Sequence, residues 1–531
     1  MKMKQFFFAS LIGVAFAACS GDNTYDNGNS IEGNQFMAVR LVMSGDAAST
    51  RAFGDAGFEA GTADEVGVTN ATFLFFDGET QVADPFTTSD LNPWTAGTTD
   101  NVDKVSKSII VLSNAIKNPT SIVAILNPTS EITSAITRST TLTQLQAIKA
   151  DYSASATIAT NKFVMSNSVY KNGGKIVIGA PCTDANIKKT PTEAQAAPVK
   201  IAVEKVVAKV HVAEASGMTV ETNPDTNPNT NNTNVSVDGT TKVITASIDG
   251  WWLDNTNSTS YLVKKLETSY PASIGATEWW NDIPNYRSYW ATPADGTLTH
   301  YTYSSAKPLN NDRYCLENTK EENPTQIVVA ATLKTGGTAV SLVKYLGTMY
   351  TEDGFNDELT KQLSNKYYTE SGGTYTKLTK DKLTFTYNAA ASGTKPYEAE
   401  VTVALKGGVS VFTTTDGTSY TPADATTDLA NLKRTVQYWK DGKTYYYLPI
   451  VHNADITITA ATGDHKLYGV IRNHLYKLSI KSINGLGTPV PNPDDPTPIT
   501  PEKPTDDNSY IAAQIEILKY KVVTQDVDLG L

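Results

Sequence analysis

The chain predicts a mainly β protein, and three observations carry that expectation. Thr, Asn, Gly and Tyr are plentiful, while apolar residues at helical spacing are scarce. Short runs alternate with the period of a strand, as in Gln35–Met43, where Met37, Val39, Leu41 and Met43 share one face. The last stretch, Asn508–Leu531, does the same, with Ile511, Ala513, Ile515 and Ile517 set against Ala512, Gln514 and Glu516. A length of 531 residues allows two or three domains, and 40% hydrophobic residues suffice for ordinary cores. The balance of 44 basic to 55 acidic residues, with no basic cluster, argues against a nucleic-acid partner.

Met1–Ala18 has charged Lys2 and Lys4, then an apolar run over Phe6–Ala17, the pattern of a secretory signal. The run is too short to span a bilayer. Cys19 directly after Ala17 and Ala18 reads as a lipobox cysteine that is acylated after cleavage; Phe16 is unusual at the first lipobox position and leaves a plain signal peptide as the alternative. Gly21–Asn34 is a polar spacer, and Gln35–Met43 is the first strand. Ser44–Gly61 follows as a loop of small residues around Arg51, the kind of site where proteases cut, although a lone loop arginine is otherwise simply solvated. Strands are expected over Val66–Asp77, Ser106–Ser113 and Ile122–Asn127, and a short helix over Thr141–Ile148.

Lys188–Pro198 reads as a linker, and Val199–Val212 as a long strand whose apolar parity switches midway. Thr222–Asn234 is a low-complexity loop. Phe355–Asn365 is expected to be helical, capped by Asn356 or Asp357. Tyr438–Pro449 is a hairpin candidate with Asp441-Gly442 in its turn, and Leu467–Ile483 a strand interrupted near Asn473. Thr488–Asp507 is dense in proline, which favours polyproline II; its length reaches roughly 60 Å at ~3.1 Å per residue. In the tail beyond it the apolar parity shifts to Leu518, Tyr520 and Val522, then to Val523, Val527 and Leu529, so two or three strand pieces are expected. This tail either reaches another molecule or folds back onto its own domain.

The search for chemistry is negative. The chain has no P-loop, G-x-S-x-G, HExxH, CxxC or EF-hand loop, so neither a hydrolase nor a cofactor enzyme is expected, and no cofactor or metal is assigned. His465 and His474 are the histidine pair that can meet, and structural roles are the expectation for both. Cys182 and Cys315 lie far apart and are expected to be buried free thiols in separate domains. Trp251-Trp252 and Trp279-Trp280 are the candidate glycan-stacking residues, but strand geometry sends the rings of each pair to opposite faces.

Several stretches resemble the Bacteroidetes type V fimbrillins, especially the shaft-subunit family of the minor fimbrium. They are the start at Cys19, the strand followed by Arg51, NYRSYWA at Asn285–Ala291, YCLENT at Tyr314–Thr319 and YWKDGKTYYYLPIVHN at Tyr438–Asn453. VIRNHLYKLSIKSINGLGTPVPNPDDP at Val470–Pro496 and VVTQDVDL at Val522–Leu529 complete the set. The resemblance implies two transthyretin-like β-sandwich domains with short helices, over 52–198 and 199–487. It implies a signal peptide over 1–18, a lipidated propeptide with a removable strand over 19–51, a tether over 488–507 and a donor strand over 508–531. In that family an arginine-specific protease removes the N-terminal strand at the outer membrane. The emptied groove then accepts the C-terminal strand of the next subunit. Carried over, cleavage falls between Arg51 and Ala52, the removable strand presents Met37, Val39, Leu41 and Met43, and the donor presents Ile511, Ile515, Ile517, Leu518, Val522, Val527 and Leu529. Partners would be identical subunits head-to-tail, with accessory anchor and tip subunits, in a fimbrium on the cell surface that supports adhesion. The alternatives are a monomeric surface lipoprotein that binds glycans, or an anchor or tip fimbrial subunit.

Overall fold

The computed structural model describes residues 35–43, 59, 61–91, 94–96, 104–151, 163–172, 175–215, 234–267, 291–300, 305–320, 322–389, 395–452, 468–494, 510–518 and 524–526. The architecture is mainly β, as the alternating runs predict. Among the described residues the N-terminal part forms an eleven-stranded sheet. Its main strands are β1 (Gln35–Met43), β2 (Ala71–Asp77), β3 (Lys104–Leu112), β4 (Ser121–Leu126), β5 (Met165–Asn167) and β6 (Val199–Lys205). Their order in space is β2-β4-β5-β6-β1-β3.

β2 and β4 are buried along nearly their whole length because both faces are covered. Phe73, Phe75, Ile122 and Ala124 join Met37, Val39 and Leu41 in a first core. Leu74, Phe76, Val123 and Ile125 join a second cluster with Ile132 of α1 (Ser130–Ala135) and Leu145 of α2 (Leu142–Ala147). Two-sided burial is why ATFLFFD and SIVAIL read as continuous apolar runs. α2 forms where expected, with Thr141 and Gln144 making a capping box. The expected linker Lys188–Pro198 is instead occupied by a helix. Thr190 caps α3 (Pro191–Ala196), which packs against β1 and β3, and Pro191 sits in the first turn where a missing N–H costs nothing.

The Val199–Val212 run divides at Val206 into β6 and β7 (Val207–Glu214). Val199, Ile201 and Val203 enter the first core, whereas Ala208, Val210 and Val212 enter a third. The parity switch thus marks where one continuous run passes between cores, so the passage falls inside this run and not in the stretch before it.

The third core lies in a β-sandwich. Its further strands are β8 (Thr245–Asp254), β9 (Arg313–Leu316), β10 (Gln326–Thr335), β11 (Lys443–Pro449), β12 (Leu475–Asn484), β13 (Tyr510–Leu518) and β14 (Thr524–Asp526). One sheet runs β9-β7-β12-β13-β14 and the other contains β8-β10-β11. Val210, Tyr476, Leu478 and Ile480 from the first meet Trp251, Ile327, Val329, Tyr446 and Leu448 from the second. Trp251 and Trp252 enter opposite clusters and both are buried, so neither offers a ring to a glycan. Trp279 and Trp280 lie outside the described residues, as does the Asn-rich loop up to its last residue.

Between β10 and β11 the chain leaves the sandwich and builds a module around Val343, Phe355, Leu359, Leu363, Val401 and Tyr438. Its helix α4 (Glu352–Ser364) starts earlier than the sequence suggests: Thr351, not Asn356 or Asp357, accepts the Gly354 N–H. Phe355, Leu359 and Leu363 then fall on one buried stripe. The hairpin expected over Tyr438–Pro449 does not form. Arg434–Trp439 pairs inside the module, and β11 pairs with β10 of the sandwich. Asp441 (φ 52°) and Gly442 (φ 73°) turn the chain from one sheet into the other. A Cβ at Gly442 would stand 2.3 Å from the Leu333 carbonyl oxygen, so this turn admits only glycine. Cys182 and Cys315 are free and buried in different cores, and burial pushes both thiols up to about 12.

Candidate assembly site: a central strand and a terminal strand

β1 occupies the middle of the N-terminal sheet. Val39, Arg40, Leu41 and Val42 pair in parallel with Val199, Lys200, Ile201 and Ala202 of β6, and on the other side Gln35–Val42 pair antiparallel with Leu112–Val105 of β3. Phe36 and Met37 also pair with Lys188 and Ile187. Met37, Val39 and Leu41 are fully buried in the first core, and Ala38, between them on the opposite face, is fully buried as well. Arg40 is half-buried inside the strand. β1 is therefore a core strand held by ladders on both sides. Cys19, Arg51 and Ala52 lie outside the described residues.

β13 is held differently. It pairs antiparallel with β12 of its own chain, Tyr510 opposite Asn484 and Leu518 opposite Leu475, with a bulge between Ile480 and Ser482. Ile515 and Ile517 stand in register with Leu478 and Tyr476, and Glu516 with Lys477. On its other side β13 pairs, among the described residues, with β14, a further piece of the tail, and it lies against β11 of the facing sheet. β13 ends at Leu518, the first residue of the shifted parity, and β14 begins at Thr524, so the described tail holds two strand pieces. Val522, Val527 and Leu529 lie outside the described residues.

Two polar clusters bind the seat of β13 to the rest of the chain. Arg472, just before β12, is 1% exposed; its Nη2 donates to Glu317 Oε2 at 3.2 Å, to Ser260 Oγ at 3.1 Å and to the Tyr261 carbonyl at 2.7 Å. Nη1 reaches the Leu262 carbonyl at 3.1 Å. Thr259–Tyr261 pairs with Lys149–Asp151 of the N-terminal part, so this arginine braces the junction between the two parts. Next to it the Tyr476 hydroxyl accepts from the Ile471 N–H at 2.8 Å and lies 2.9 Å from His452 Nδ1, while His474 Nδ1 donates to the Arg472 carbonyl at 2.8 Å. YCLENT, YYYLPIVH and VIRNHLYKL, distant in sequence, converge on this knot. His465 lies outside the described residues, and among the described residues no cluster of His, Cys, Asp and Glu could hold a metal ion.

The second cluster ties down the segment that follows Arg51. Glu65, 1% exposed, accepts from Lys209 Nζ of β7 at 2.9 Å, from the Tyr314 hydroxyl of β9 and from the Thr62 N–H. Lys209 also reaches Asp312 at 2.9 Å, which pairs with His211. Burial raises the Glu65 carboxyl, but Tyr314, Thr62 and Lys209 outweigh it and hold the group below the usual range. Burial likewise works against charge on Asp312, and His211 and Lys209 overcome it to bring Asp312 down to about 2. Glu59 pairs with Lys477 on β12. Sequence reading missed both clusters; the one available signal was a charged residue within an apolar run, as in VIRNHL.

Residues 437–526 match the family model described as "Major fimbrial subunit protein type IV, Fimbrillin, C-terminal". The matched stretch includes β11, β12 and β13. Among solved structures it is similar to a candidate cell adhesion protein from Parabacteroides distasonis, at 13% identity and TM-score 0.36, covering 93% of this chain and 98% of that one. It is also similar to a fimbrial assembly protein from the same species, at 11% identity and TM-score 0.30, covering 72% and 100% of the two chains. The tip fimbrial protein Mfa3 from Porphyromonas gingivalis, with C-terminal truncation, aligns at 11% identity and TM-score 0.28 over 90% of this chain and 99% of that one. No curated protein matches the sequence.

Proposed function

We propose that this protein is a shaft subunit of a surface fimbrium, exported as a lipoprotein precursor on Cys19, cleaved after Arg51 and polymerised by its C-terminal strand. The observation that carries the reading is the placement of β1: a central core strand that lies upstream of the small-residue stretch around Arg51 and whose covalent link to the domain runs through that stretch. One cut after Arg51 frees lipid and strand together. Withdrawal of β1 leaves β6 and β3 separated by two strand spacings, about 10 Å, with unpaired backbone on both edges. It also uncovers the core under Met37, Val39 and Leu41. Such a gap favours a replacement strand.

The tail supplies one. β13 has the length of β1, 9 residues each, and the alternation of a one-sided strand. In the single chain it rests on β12, and that seat is favoured by an effective concentration of order mM. The groove offers a ladder on each side where the seat offers one body strand, so exchange is downhill once β1 has gone. Because each subunit gives and receives, the contact is head-to-tail and builds an open filament. The role is structural and not catalytic, with identical subunits, accessory anchor and tip subunits, an arginine-specific protease and the outer membrane as partners. Replacement of Arg51 with Ala tests the processing step. Intact mass of surface-released protein should begin at Ala52 in the wild type, and the variant should stay lipidated; mature fibres that begin at Cys19 would refute the reading.

A further inference from the structure

We infer the direction and register in which the tail strand fills the groove; this rests on the reading above. β1 alternates between two environments. Met37, Val39 and Leu41 enter the first core, while Phe36, Ala38 and Arg40 lie on the other face. Ala38 is the constraint. It is 0% exposed although it faces away from that core, on a strand against which α3 packs. The residue that replaces it must be small and uncharged. The donor's apolar parity is Ile511, Ala513, Ile515 and Ile517, so the candidates for the Ala38 position are Tyr510, Ala512, Gln514, Glu516 and Leu518. Only Ala512 fits an enclosed methyl-sized site.

Direction follows from the same constraint. With Ala512 at the Ala38 position and the donor running as β1 runs, Tyr510 replaces Phe36, Ile511 replaces Met37, Ala513 replaces Val39 and Ile515 replaces Leu41. Ile517 then takes the Met43 position. Run the other way, Ala512 at this position leaves Ile515 at the Gln35 end, sends Ile517 out of the groove, and places Tyr510 over Arg40. The same-direction register sets Gln514 at the Arg40 position, in register with Lys107 on one side and Lys200 on the other, and Glu516 two residues further along. The tail is therefore a residue-for-residue substitute for β1, parallel to β6.

Cysteine pairing reads the register directly. Gln514→Cys and Lys107→Cys are placed in separate copies, mixed after cleavage at Arg51 and oxidised; Cys182 and Cys315 are buried and stay out of the reaction. The expected result is an intermolecular 514–107 disulfide in the fibres, and none when Glu516→Cys or Ala512→Cys replaces the 514 variant. Fibres that cross-link through 516 or 512, or that require the tail yet fail to cross-link through 514, overturn the register. Fibres that form without Asn508–Leu531 overturn the strand-exchange reading instead, so the two failures are distinct. In a second arm, Ala512→Leu should lower fibre number at least tenfold after cleavage while the uncleaved precursor keeps its circular dichroism spectrum. A tail in which Tyr510–Ile517 is rewritten as the Phe36–Met43 sequence should still assemble, and its failure counts against the substitution.

Discussion

β1 and β13 are strands of equal length in the same molecule, and they are held in opposite ways. β1 has body strands on both sides and three side chains sealed in a core. Among the described residues β13 pairs with one body strand, β12, and with its own continuation β14, and it lies against β11 of the facing sheet. Removing the first would open two ladders and a core, whereas removing the second would open one ladder to the body of the chain. The number of ladders, more than the length of a strand, sets how firmly it is held.

The sharpest way to break this comparison is to delete each strand. A chain that starts at Ala52 and lacks the tail should fail to hold its N-terminal sheet. Three buried side chains at ~1.5–3 kcal/mol each give roughly 5–9 kcal/mol, a large part of an ordinary domain's total stability. A precursor that keeps β1 and lacks Asn508–Leu531 should instead remain a folded monomer that extends no fibre once cleaved. Size-exclusion chromatography and denaturant titration read both. If the second deletion is the one that unfolds, the tail is an obligatory last strand and the comparison fails.

Next in size is the brace behind the seat of β13. Arg472→Met strands the Glu317 carboxylate in a buried site and should cost about 3–5 kcal/mol. Urea unfolding measures it, and replacing Glu317 with Leu in the same chain should return part of the loss. If the single variant is neutral, the seat is looser than its hydrogen bonds indicate. A smaller effect separates the two strands in the intact precursor. Hydrogen exchange should open the β13 amides at least tenfold faster than those of β1, since one seam must break in place of two. Equal protection would place both strands in one cooperative unit.

The smallest expected effect is on pH. Asp312 is depressed from 3.8 to about 2, and Glu65 lies below its ordinary value, so both stabilise the fold fully above their unfolded values. That contribution fades as pH falls through about 4 towards 2. Lys209 is raised, so its share persists through neutral pH and fades only in strong base. The melting temperature should therefore drop between pH 4 and pH 2, and Glu65→Gln should flatten the Glu65 share of that drop.

The sequence by itself determined the β class, the strand Gln35–Met43, the short helix after Thr141 and the division of the tail into strand pieces. These rest on apolar period, which neighbouring residues specify. Even the parity switch in Val199–Val212 was visible, though not its meaning, because only the cores on either side of Val206 show that one strand serves two of them. What lay beyond reach depends on partners distant in the chain. Asp441-Gly442 marks a turn, but whether its flanks pair with each other or enter two sheets is settled by Leu333 and the strands that receive them. Lys188–Pro198 looked like a linker because its composition is small and polar, and it became a helix because β1 and β3 give it a surface. Arg472 and Glu317 find each other across most of a domain, and no local pattern records a pairing of that range. The enclosure of Ala38 is likewise tertiary: alternation assigns it to an outer face, and only the packing of the folded chain turns that face into a site that admits nothing larger.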